Sequence, residues 1–135
     1  MINNVRKNRF EYISLNKLEK QASYTYTFYL ADGSKIGVGT PHESEWGISA
    51  SIYADVNGDA KPNIMGKDVF RFVYWIKHYN NTLYSGEFIP YGGDWSRDDL
   101  INSDKPYACR RDKTGDLCAA LIMRDGWEIS KDYPW

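Results

Sequence analysis

The sequence predicts an α+β fold, with an N-terminal amphipathic helix packed on an antiparallel β-sheet. Three observations carry this expectation. Apolar residues recur at helical spacing over residues 1–22, alternating apolar and polar runs follow, and a cysteine pair brackets a charged loop near the C-terminus. At 135 residues and 15.6 kDa the chain reads as one domain, the helix over 1–22 and the sheet and C-terminal region over 23–135.

The helical stripe consists of Val5, Phe10, Tyr12, Ile13, Leu15 and Leu18. Tyr24, Tyr26 and Phe28 then alternate with Thr25, Thr27 and Tyr29 as a strand does, and Asp32-Gly33-Ser34 turns the chain into a second strand over 35–39. Residues 40–45 read as a polar connector. Over 46–56, Ile48, Ala50, Ile52 and Ala54 share one face, with Ser49, Ser51 and Tyr53 on the other. Residues 69–76 are the most apolar strand candidate. A turn over 78–82 leads to a return over 83–91, where Gly86 and Pro90 indicate an irregular or edge position. Residues 92–106 read as loop, and 117–123 as a short helix ended by Gly126 and capped by Asp116 or Thr114.

Composition narrows the function classes. Hydrophobic residues at 42% and charged residues at 26% argue against disorder, and a net charge of -1 gives no electrostatic case for nucleic acid or an anionic membrane. No specific nucleic-acid binding is inferred. The sequence holds no apolar run of the roughly 20 residues that cross a bilayer as a helix. Eleven Tyr and five Trp provide amphipathic contact surface.

The stretch that organises the chain is the loop from Asp55 to Asp68. Asp55, Asn57, Asp59, Asn63 and Asp68 supply side-chain oxygens that suit a hard cation such as calcium, in an arrangement that departs from the EF-hand. The same residue types also bond their own backbone in consecutive turns, so a self-braced loop is the alternative. Cys109 and Cys118 flank a charged segment where a free thiol gains little from burial. A disulfide is therefore expected, with an oxidising compartment as its consequence; two free core thiols are the other reading. His42, beside Glu43, Ser44 and Glu45, is the only support for a hydrolase, and a solvated connector is the better account of it. No phosphate-cradling glycine pattern or nucleophile motif is present, so no catalytic residue is assigned.

Three pieces then stand together: the N-terminal helix leading into antiparallel strands; Asp55-Val56-Asn57-Gly58 with Pro62-Asn63, Gly66 and Asp68-Val69-Phe70-Arg71-Phe72; and the ending from Cys118-Ala119-Ala120-Leu121-Ile122 through Asp125-Gly126-Trp127 to Asp132-Tyr133-Pro134-Trp135. Together they resemble the soluble part of a bacterial type IV pilin-like protein, a minor pilin or type II secretion pseudopilin. The resemblance implies a filament subunit acting in assembly, secretion, adhesion or DNA uptake. It implies other pilin or pseudopilin subunits as partners, a periplasmic or cell-surface location and an inner-membrane anchor. A basic leader, a cleavage motif and an apolar half-helix are missing from this sequence, so the expectation is a soluble part that starts inside the helix. The alternative function is a calcium-ordered adhesin or glycan-binding module at a pilus tip or cell surface, contacting a glycan or host surface through Tyr and Trp.

Overall fold

The computed structural model describes residues 7–13, 20–45, 47–79, 82–83, 86–102 and 104–134. Eight strands appear in chain order: β1 (Lys7–Ile13), β2 (Lys20–Tyr29), β3 (Lys35–Gly39), β4 (His42–Ser44), β5 (Gly47–Asp55), β6 (Val69–Tyr79), β7 (Thr82–Leu83) and β8 (Glu87–Pro90). Two short helices follow, α1 (Arg97–Asn102) and α2 (Cys118–Arg124). The strands form one antiparallel sheet in the order β1-β2-β3-β5-β6-β7, with β4 also on β5 and β8 also on β6. Strand accounts for 40% of the structure and helix for 12%, so the fold is mostly β rather than the expected helix-on-sheet α+β arrangement.

The expected N-terminal helix over 1–22 is overturned wherever it is described. Lys7–Ile13 and Lys20–Ala22 are paired strand, with registers from Lys7↔Tyr26 to Ile13↔Lys20; residues 1–6 and 14–19 lie outside the described residues. The physical reason is a second period hidden in the same residues. Phe10 and Tyr12 face one side, whereas Arg9 and Glu11 face the other and form an ion pair at 3.2 Å. A helix isolated at this length nucleates poorly in water. Pairing with β2 instead buries Phe10, whose ring occupies the space a side chain at Gly37 would need: a Cβ there would lie 2.6 Å from Phe10 Cδ2.

The sheet has two unlike faces. On the inner face, Phe10 and Tyr12 stack on Tyr53, and Phe10, Tyr53, Met65 and Val69 form a buried cluster. The end of β1 reaches the loop after β5, where Ile13 N donates to Asn63 O at 2.7 Å and Met65 N to Ile13 O at 2.9 Å. The C-terminal region closes the rest of this side. Ile64, Leu100, Cys109, Leu117, Cys118, Ala120, Leu121 and Tyr133 make a second buried cluster.

On the outer face, cross-strand register lines the side chains up in rows. One row is Tyr26, Val38, Ile52 and Phe72; the next is Phe28, Ile36, Ala54 and Phe70. Each row runs aromatic, aliphatic, aliphatic, aromatic. Ala50 and Tyr74 with Phe88 extend the pattern, and Phe72 stacks on Phe88 at 5.1 Å. None of these eleven side chains is fully buried; Tyr26 is 42% exposed, Tyr74 40% and Phe88 56%.

Several shorter elements also depart from expectation. The connector over 40–45 contains β4, which continues along β5 where β3 leaves it. The stretch 92–106 contains α1, whose single buried residue is Leu100. The turn expected over 78–82 starts later, since β6 runs to Tyr79 and pairs with β7; residues 80–81 lie outside the described residues. The short C-terminal helix is α2, but neither Thr114 nor Asp116 caps it; Leu117 holds the cap position without a side-chain bond.

Candidate functional site

The loop over 56–68 joins the longest antiparallel pair of the sheet, which closes at Asp55↔Val69. Its conformation follows from its composition. Gly58, Asn63 and Gly66 take φ values of 65°, 58° and 87°, which glycine and asparagine tolerate better than other residues. The peptide between Lys61 and Pro62 is cis. A Cβ at Gly58 would lie 2.2 Å from Gly33 O, so the loop is pressed against the β2–β3 turn.

Asp68 is the brace of this loop. Its Oδ2 accepts from Asn63 N at 2.8 Å and Asn57 Nδ2 at 3.1 Å, and its Oδ1 accepts from Ile64 N. Its two oxygens therefore satisfy two buried backbone donors and one amide. Asp59 points the other way. It accepts from Lys35 Nζ at 3.0 Å and from Tyr29 Oη at 3.0 Å, which hold its carboxyl below the usual carboxylate range. Asn57 spends its backbone N–H on Asp55 Oδ1 at 3.2 Å.

Asp55 is the unusual group. Its side chain is wholly buried at the end of β5, and burial, with a smaller contribution from the charge of Asp68, pushes its pKa up to about 6. With the Asn63 amide nitrogen turned inward, it donates to Asp55 Oδ2 at 2.9 Å and to Ala60 O at 2.5 Å.

Of the five expected ligands, Asp55 and Asn63 come together with Ala60 O. Asp68 and Asn57 are engaged in bracing the loop, and Asp59 is engaged with Lys35 and Tyr29. Among the described residues, no group of three or more His, Cys, Asp or Glu side chains is placed to hold a metal.

A C-terminal cap locks onto this loop. Cys109 and Cys118 form the expected disulfide, and both are buried. Tyr133 Oη donates to Gly66 O, and a Cβ at Gly66 would lie 2.7 Å from Cys118 Sγ. Burial raises the Tyr133 hydroxyl above its ordinary range. Arg71, on β6, pairs with Asp116 at 3.0 Å, donates to Ser51 Oγ at 3.1 Å and lies over the Tyr91 ring at 4.0 Å. Segments about 50 residues apart in sequence thus form one unit, a contact that no local pattern encodes.

His42 opens on a shallow polar cleft of about 330 Å³ with Ser23, Ser49, Ser51 and Tyr53. Strand alternation in β4 places Glu43 opposite Ile48, on the outer face, so the neighbours in sequence do not converge. What residue-type reasoning missed is the outer face itself. The signal was available as aromatic residues on β2 and β6 flanking aliphatic ones on β3 and β5, but it is visible only once register is fixed.

No helix among the described residues is long and apolar enough to cross a membrane. No curated protein and no solved structure matches the chain. A family profile covers residues 5–135, and it takes in both halves of the locked unit just described. By that match, the chain belongs to DUF6613, a family of unknown function.

Proposed function

We propose that the chain is the globular part of a non-enzymatic assembly subunit of the minor pilin or type II secretion pseudopilin kind. The observation that carries this reading is the outer face of the sheet. Contiguous apolar patches beyond a few hundred Å² are rare on free monomers and mark interaction surfaces. Rows of Tyr, Phe, Ile, Val and Ala across β2, β3, β5 and β6 line up as a contiguous apolar face with no side chain fully buried, while the core is completed on the opposite side. The two motifs behind the resemblance also meet, through Tyr133, Gly66 and Cys118. The disulfide suits a periplasmic or extracellular location. The N-terminal helix is no longer among the supports, because Lys7–Ile13 is a strand.

Deleting the gene in its host and measuring pilus assembly, type II secretion and DNA uptake tests the reading. Loss of at least one is expected. Normal values for all three would overturn it.

A second reading, calcium ordering of the Asp55–Asp68 loop, rests on the wholly buried Asp55 carboxyl, which lies within reach of the charge of Asp68. Calcium titration followed by the backbone resonances of Asn57, Ala60 and Asn63 tests it. No change at millimolar calcium would remove it.

A further inference from the structure

We infer that the protein self-associates through a rigid aromatic knob, Trp127 with Ile129, that seats in the apolar groove of a second copy. This rests on the assembly reading and names the partner and one contact. The knob carries two costs that the monomer does not explain. Trp127 has a left-handed backbone, φ 64°, which is strained for a bulky residue, and its indole is 63% exposed, with Ile129 61% exposed beside it.

The segment bearing it is also pinned on both sides. Arg97 donates to Asp125 Oδ1 at 2.6 Å and Oδ2 at 3.0 Å, and to Asp132 Oδ1 at 2.7 Å, so one guanidinium clamps residues 125 and 132 around the knob. These bonds, with that of Ser130 Oγ to Asp132 at 2.7 Å, hold Asp132 at about 2, so the clamp stays charged at any physiological pH. Trp127 N donates to Ile122 O at 2.8 Å and fixes the turn after α2. A backbone fixed before contact loses little entropy on binding, and tryptophan is a favoured interface anchor.

The groove lies on the inner side, where β6 and β8 meet the turn over 91–94. Val73, Trp75, Ile89, Tyr91 and Trp95 line about 290 Å³ of mainly apolar space, enough for one indole ring. Asp94 also lines it and offers a carboxylate acceptor to an entering indole N–H. Knob and groove occupy different patches of one molecule. A contact between unlike patches of identical chains is heterologous, and it propagates into a filament or closes into a ring.

The test uses two variants of the intact, disulfide-bonded protein, Trp127→Ala and Ile89→Arg, each checked for an unchanged circular dichroism spectrum. Sedimentation equilibrium from micromolar to millimolar concentration should show self-association of the wild type, weakened at least tenfold in each variant alone. Mixing the two, one with an intact groove and the other with an intact knob, should restore one-to-one dimers. A monomeric wild type at millimolar concentration overturns the inference, as does association unaffected by both substitutions. If association survives both but disappears in Ala50→Arg, the outer face is the contact; the knob is then excluded while the assembly reading stands. Saccharide binding in the groove, detected by titration with a glycan panel and lost in Ile89→Arg, with no self-association, would also overturn it.

Discussion

The two faces of one sheet use similar residues to opposite effect. On the inner face, Phe10, Tyr53, Met65 and Val69 form a buried cluster where β1 meets the Asp55–Asp68 loop. Rows such as Tyr26, Val38, Ile52 and Phe72 on the outer face are equally apolar and remain partly open. Hydrophobicity therefore does not identify the core of this protein; the path of the chain after each strand does. The inner side receives α1, α2 and the C-terminal cap, and the outer rows stay partly open.

The contrast is broken most directly by matched truncations. Leu121→Ala, in the inner core, should cost about 3 to 4 kcal/mol in chemical denaturation, whereas Ile52→Ala on the outer face should cost less than about 1.5 kcal/mol. Equal costs would mean that the outer face is as integral to folding as the inner one. Asp68→Ala should follow at about 2 to 3 kcal/mol, because it leaves the backbone N–H groups of Asn63 and Ile64 without their acceptor. Proteolysis of the variant should begin within residues 56–68.

Removing the disulfide by Cys109→Ala with Cys118→Ala should cost about 2 to 3 kcal/mol, read as a lower denaturation midpoint. The effect should spread to the loop, since Gly66 packs on Cys118. Amide exchange of residues 64–69 will report whether the cap and loop are one cooperative unit.

Asp55 supplies the smallest effect and one of known sign. Its folded pKa of about 6 lies above the ordinary value of 3.8, so its contribution to stability is complete below pH 3.8 and is lost as pH rises through 6. In chelator, Asp55→Asn should therefore be more stable than wild type at pH 7.5 by up to about 2 kcal/mol, with no gain at pH 3.5. Millimolar calcium that reversed the order at pH 7.5 would identify Asp55 as a cation ligand.

Much of the sheet was legible in the sequence. The β2–β3 hairpin and β5 follow from alternation, β6 from its apolar run, and the cysteine pair announced its own bond. The loop composition told correctly that Asp55 to Asp68 is a shaped connection. Less could be read of the oxygens, because Asp, Asn and Gly serve turns and cations alike. Only their neighbours separate the roles: Lys35 and Tyr29 draw Asp59 outward, and the backbone of Asn63 and Ile64 claims Asp68. The first strand misled because Phe10 and Tyr12, which alternate with Arg9 and Glu11, also fall with Ile13 in a helical stripe.

The sequence by itself determined the local events: where strands turn, which loop is polar, where a short helix ends and which cysteines join. These depend on backbone preferences and on residues close in the chain. Tertiary structure decided three further matters: that residues 7–13 extend, which side of the sheet becomes the core, and that Tyr133 meets Gly66. Each depends on which distant segment supplies the missing hydrogen bonds or apolar cover, and pairing with β2 and closure by the C-terminal cap provide them.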